Sequence, residues 1–189
     1  MNLNLFDIVE KEKWQRMQDG FSNALGICIQ TVDLEARPLP GINNSNEFCL
    51  DIINEAGKNI KAHCEECLKQ LISNIRKDKS HNYHICPVGG GLYLYGIPIE
   101  IEQGITLAYV IVGPVIAGKK KSREEYNKIA EENNIGTDYL IEKIAALKSF
   151  SFNSIDATVG LLHEVAHYIL QLNYDIKRLK KRFAVPGPL

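Results

Sequence analysis

The stretch Tyr83–Ala117 reads YHICPVGGGLYLYGIPIEIEQGITLAYVIVGPVIA, and it decides the fold. Residues rich in Val, Ile and Tyr fall into three runs, Tyr83–Val88, Leu92–Ile101 and Ile105–Ile116, and such runs suit a pleated, half-buried surface. Between them stand Gly89-Gly90-Gly91 and Glu102-Gln103-Gly104, connections too short for a crossover helix, so consecutive strands must turn back on one another. The stretch is therefore an antiparallel meander. Pro98 interrupts the middle run and predicts a bulge or an edge position, because proline brings no N–H to a ladder. Ile105–Ala117 is the longest apolar segment; its 13 residues fall short of the ~18 that span a bilayer, and it reads as a buried strand.

Helices flank the meander on both sides. Upstream, Lys58–Arg76 carries Ile60, Cys64, Cys67, Leu68, Leu71, Ile72 and Ile75 at helical spacing. A shorter helix through Asn54, capped by Asn46, precedes it. Ile27–Asp33 reads as a strand, and Asp33–Gly41, with two prolines, as a turn or short edge strand. Leu5–Leu25 sets Phe6, Val9, Trp14, Met17, Phe21 and Leu25 on one stripe and predicts a helix ending before Gly26. Downstream, Ser122-Arg123-Glu124-Glu125 has the spacing of a capping box, opening two short helices at about 123–133 and 137–147. A long helix then runs from Asn153 to about Phe183, with a stripe of Leu161, Leu162, Val165, Ile169, Leu172 and Ile176 expected to pack on the sheet or on a partner helix. The tail Val185-Pro186-Gly187-Pro188-Leu189 cannot continue it. The expected fold is α+β in a single domain over residues 1–189: about five antiparallel strands, helices inserted between the second and third, and a long C-terminal helix. This order matches PAS and GAF sensory domains, which hold a small molecule between sheet and inserted helices, although fold alone assigns no function.

Composition narrows the class. In 189 residues, 22 Lys+Arg face 23 Asp+Glu for a net charge of −1, which leaves no overall positive field for nucleic acid. With 45% hydrophobic and 24% charged residues, disorder and fibrous repeats are excluded. Five cysteines, an odd number confined to the first half, do not form a secreted disulfide framework and point to a reducing cytoplasm. The N-terminus mixes Asp7, Glu10, Lys11 and Glu12 among its apolar residues, unlike a signal peptide.

Chemistry concentrates first at Phe48-Cys49, at His63-Cys64-Glu65-Glu66-Cys67, and at Tyr83-His84-Ile85-Cys86. Here the sequence resembles the PocR sensory domain, a PAS-like module of bacterial transcription regulators and sensor kinases. The resemblance rests on Phe48-Cys49, Cys64, Cys86, Gly91-Leu92, Pro98-Ile99 and Gly113, and it covers about residues 10–172, leaving 173–189 as a signalling helix and tail. Two departures stand out: Pro87-Val88-Gly89 follows Cys86 where the family has His-Ala-Gly, and Cys67 adds a thiol. The resemblance implies sensing of a small diol- or polyol-like metabolite without catalysis, passed to a DNA-binding or kinase module; the terminal helix, paired with its mate, is expected to make a homodimer, and the charge balance and short apolar runs lead us to expect neither direct nucleic-acid nor membrane binding.

The residues themselves leave alternatives open. Cys49, Cys64, Cys67 and Cys86 can be taken as four thiolates for zinc or an iron-sulfur cluster, with Cys64-x-x-Cys67 on neighbouring helical turns. Against this, free Cys packs as a small hydrophobe, and Cys49, Cys64 and Cys86 then simply line a pocket. His163-Glu164-Val165-Ala166-His167 is an HExxH pattern, two imidazoles at i and i+4 with a Glu as base, which defines a zinc-hydrolase alternative. It lacks a third ligand, since Asp175 lies two turns on and points along the axis. Strand alternation puts Tyr93 and Tyr95 on one face, where, with Tyr83, their hydroxyls can grip a ligand or form an exposed ladder. The expected ligand-contacting set is Phe48, Cys49, Cys64, Tyr83, Cys86, Tyr93 and Tyr95. His63 and His81 are expected to be solvent-exposed. The five Lys/Arg of 177–182 sit at a helix C-terminus, where cations favour the dipole, and suit a signalling helix.

Overall fold

A computed structural model of the chain describes residues 3–39, 47–80, 82–86, 88, 91–102 and 104–183, the side chains of 58, 59 and 181 excepted. The Asn46 cap, His81, the Gly89-Gly90 and Gln103 turn positions and the tail lie outside them. In chain order the elements are α1 (Lys11–Leu25), β1 (Ile29–Val32), α2 (Glu47–Ala56), α3 (Lys58–Lys77), β2 (Tyr83–Ile85), β3 (Leu92–Ile101), β4 (Ile105–Ala117), α4 (Arg123–Glu132), α5 (Thr137–Ala145), β5 (Ser149–Phe150) and α6 (Phe152–Phe183). The meander is present: β2, β3 and β4 pair antiparallel in sequence, and β1 joins the far side of β4 to give the order β1-β4-β3-β2. The architecture is α+β, with α2 and α3 inserted before the meander and a long closing helix, as in PAS-like folds.

Two expectations need correction, the unbroken N-terminal helix and the place of the fifth strand, and two open readings are narrowed. The N-terminal helix is split: Asn4 and Asp7 form a capping box around a 3₁₀ turn at Leu5–Asp7, which consumes Phe6 before α1 begins at Lys11. Of the two readings of the segment after Asp33, the turn is the one present: Asp33 Oδ1 accepts the N–H of Glu35 and of Arg37, and one bridge, Val32 with Pro38, is formed. The fifth strand is instead Ser149–Phe150, and it runs parallel to β4 beyond the end of β1. Of the two partners open to the α6 stripe, the sheet takes Leu162, with Ile155, Val159, Ala166 and Leu170, while Leu161, Leu172 and Ile176 are exposed.

The other endings follow their signals. α1 stops at Gly26, which takes φ +65°, and Ser122 with Glu125 caps α4 as the motif requires. Pro98 sits where β3 has outrun β2, whose register covers only Tyr93–Tyr95, and a register shift follows at Ile99/Glu100.

Alternation along the strands builds two layers. Ile29, Tyr95, Ile97, Val110 and Val112 face α1 and α6. Val32, Leu94, Tyr109 and Ile111 face α3, and Leu92 and Ile116 continue that face under α2, α4 and α5. A buried polar chain ties α1 to β1: Trp14 Nε1 donates to Thr31 Oγ1 at 2.9 Å, and Thr31 Oγ1 donates to Gln18 Oε1 at 2.8 Å. Gly113, at φ +116°, sits where a Cβ would lie 2.7 Å from the Tyr93 carbonyl, so the β3–β4 pairing there excludes a side chain. Gly96 likewise lets α3 close on the sheet, since a Cβ would meet Ile75 Cδ1 at 2.5 Å.

Candidate functional site

The inserted helices do not lie flush on the sheet. Between α2, α3, β3 and the turn after β1 is a partly enclosed cavity of about 300 Å³, within the range of small-molecule pockets. Each element contributes by its own period. On α2, Cys49 and Ile53 are four residues apart and share a face with Leu50 beside them. On α3, Lys61, Cys64, Glu65 and Leu68 follow helical spacing. Cys86 comes from the end of β2, and Leu94 and Gln30 from the facing strands.

Cys49, Cys64 and Cys86 therefore line one hollow. For Cys49 and Cys64 the surroundings hold the thiol neutral. Burial pushes Cys49 well above the usual thiol range, helped next by Cys86 and then Cys64 nearby. Burial also raises Cys64, with Glu65 adding to it. Cys67, although three residues from Cys64, belongs to the α3–sheet core: its Sγ donates to the Ile85 carbonyl at 3.7 Å, and burial pushes it up to about 12. Cys28 is also pushed up to about 12 by burial. Metal ligation needs the thiolate, which this apolar setting disfavours. Among the described residues, no group of three or more His, Cys, Asp or Glu side chains is placed to hold a metal ion.

The tyrosines lie on the opposite layer. Leu94 faces the cavity, so its neighbours Tyr93 and Tyr95 face α6. Exposed Tyr83 stacks obliquely on both, with ring centroids 5.9 Å from each, and Tyr93 meets Phe152 edge-on at 5.7 Å. Tyr95 is buried, and burial, then Asp156, pushes its phenol up to about 12. Phe48 packs behind α2 in the core with Ile52, Cys86 and Leu92. Of the lining residues not expected there, Ile53 and Leu68 carried a signal, each four residues after a cysteine already singled out, Cys49 and Cys64; Leu50 and Leu94 are sequence neighbours of Cys49 and of Tyr93 and Tyr95, and no spacing pointed to them.

The HExxH residues face outward. His163 and Glu164 side chains are 48% and 60% exposed, with His163 Nδ1 3.7 Å from Glu164 Oε1, and the two imidazoles stack 6.3 Å apart. Asp175 accepts from Gln171 Nε2 at 3.1 Å and lies near Arg178, on its own helix. Exposed His63 has no place in the cavity lining.

One polar link leaves the cavity wall. Lys143 Nζ on α5 meets Asp51 Oδ2 on α2 at 2.6 Å, and α5 leads directly through β5 into α6. No helix among the described residues is long and apolar enough to cross a membrane. A family model described as the sensory domain found in PocR matches residues 7–174. No curated protein and no solved structure matches the chain.

Proposed function

Because the chain belongs to the PocR sensory-domain family, we propose that it binds a small, neutral, diol- or polyol-like metabolite in the cavity between sheet and inserted helices. The observation that carries this reading is the convergence of Cys49, Cys64 and Cys86 on one hollow of about 300 Å³ whose remaining wall is mostly apolar. Neutral thiols are weak donors and weak acceptors, suited to a hydroxylated carbon chain and poorly suited to an anion. Gln30, Lys61 and Glu65 supply stronger hydrogen-bonding groups for a hydroxyl. Binding without turnover is the proposed activity. A ligand that favours one arrangement of α2 shifts that helix's population, and the Asp51–Lys143 pair carries the shift to α5 and α6, which drives a DNA-binding or kinase module in the cytoplasm. A homodimer through the terminal helices completes the proposed signalling unit.

The test is a thermal-shift screen of short 1,2-diols, glycerol-like triols and small aldehydes. A ligand at 100 times its Kd adds about 2.7 kcal/mol, a rise of roughly 5–10 °C for a chain of this size. Cys64→Trp, which fills the cavity, is expected to abolish the rise. A compound that stabilises the filled variant as much as the wild type binds elsewhere and overturns the assignment of this cavity.

A further inference from the structure

α6 carries two apolar faces, of which the sheet uses one. The second consists of Leu161, Val165, Tyr168, Leu172, Ile176, Leu179 and Phe183; Val165 is half-buried and the others are 41–77% exposed. Its spacing is symmetric about Leu172: the other members fall four, seven and eleven residues to either side. A stripe that reads the same in both directions can meet a second copy of itself antiparallel with every layer filled, which suits an isologous two-fold contact. We propose that two copies of this chain pair antiparallel through this stripe, with Leu172 on the two-fold axis, Tyr168 against Ile176, Val165 against Leu179, and Leu161 against Phe183 of the second copy. This rests on the homodimer reading above and fixes its surface and direction.

Charge favours the same direction. Glu164 and Arg182 lie on one flank of the stripe, 18 residues or five helical turns apart. Antiparallel pairing about Leu172 brings Glu164 of each copy level with Arg182 of the other to within two residues. Parallel pairing instead sets the Lys180 and Arg182 ends of the two copies side by side. The stripe is also held in place for a partner: Lys177 Nζ donates to the Asp7 carbonyl at 2.6 Å and Arg178 lies 3.4 Å from Glu102, so the C-terminal half of α6 stays docked on the body with its apolar side outward.

The experiment combines mass in solution with disulfide trapping of the full chain. The wild type is expected to sediment at twice the mass of one chain, and Leu172→Glu, at an exposed position, to give a folded monomer with dimerisation weakened at least tenfold. Leu161→Cys and Phe183→Cys are then oxidised separately and mixed, with the wild type as the background for its own five thiols. In the antiparallel pair each new cysteine sits about 33 Å from its own copy, so neither single variant crosslinks and the mixture does. Crosslinking by either variant alone means a parallel pair and overturns the direction while keeping the homodimer. A monomeric wild type overturns the homodimer reading itself. A dimer that survives Leu172→Glu, or that crosslinks in no combination, uses another face and overturns the proposal.

Discussion

Gly96→Ala tests how closely α3 must sit on the sheet to form the cavity wall. The added methyl would lie 2.5 Å from Ile75 Cδ1, 3.3 Å from Leu71 Cγ and 3.4 Å from Leu71 Cδ2. Carbon contacts are most favourable at about 3.5–4.0 Å, so Ile75 must retreat by roughly an ångström into a core where it is 1% exposed and Leu71 is fully buried. Overpacking of this kind costs about 1–3 kcal/mol, which at this chain length lowers Tm by roughly 4–8 °C for the middle of that range. Ile75→Val removes the offending Cδ1 and alone costs about 0.5–1.5 kcal/mol. The double variant is therefore expected to lose less than the sum of the two, by about 1 kcal/mol or more. Thermal and urea unfolding followed by circular dichroism measure all four corners of the cycle. A Gly96→Ala protein as stable as the wild type, or two losses that simply add, would refute the close approach.

Three further outcomes are expected. Cys28 and Cys67, raised from 9.0 to about 12, and Tyr95, raised from 10.0 to about 12, stay protonated in the folded chain while the unfolded chain ionises, so their stabilisation is complete below about pH 9 and is lost as pH climbs towards 12; a urea midpoint unchanged between pH 8 and pH 10.5 contradicts this. In the Asp51→Asn and Lys143→Met cycle the pair, 39% and 29% exposed, should couple by about 0.3–1 kcal/mol and weaken in high salt; zero coupling would remove this pair as the carrier between α2 and α5. Iodoacetamide at neutral pH should modify Cys49 and Cys64 at least ~10-fold more slowly in the native chain than in urea, because the thiolate is the nucleophile; native-state labelling of these two at the unfolded rate would remove the case for neutral thiols.

The meander was legible because its β-rich runs and glycine turns repeat within a few residues of each other, where local preference and final structure agree. The face of α3 was legible for the same reason, since only one side of it is apolar. On α6 the choice between sheet and partner helix stayed open because it has two apolar stripes. The buried one includes Ala166 and begins at Ile155, before the residues that looked most greasy, and hydropathy does not say which of two faces meets the sheet. β5 has two residues and exists only through its pairing with Ile116 and Ala117, so no local pattern announces it. At the cavity, cysteine spacing located the walls on α2, α3 and β2. The side to which Tyr93 and Tyr95 point depended on which sheet face the inserted helices cover, a long-range fact.

The buried chain from Trp14 through Thr31 to Gln18 has a practical consequence, because Trp14 is the only tryptophan in the protein and is fully buried. Its indole sits on the layer shared by α1, the sheet and α6, across the strands from the thiol-lined hollow. Intrinsic fluorescence of the unmodified chain is thus an optical gauge of the output side alone: emission that changes when the hollow fills has registered motion carried through the sheet, without a dye and without contact between fluorophore and ligand.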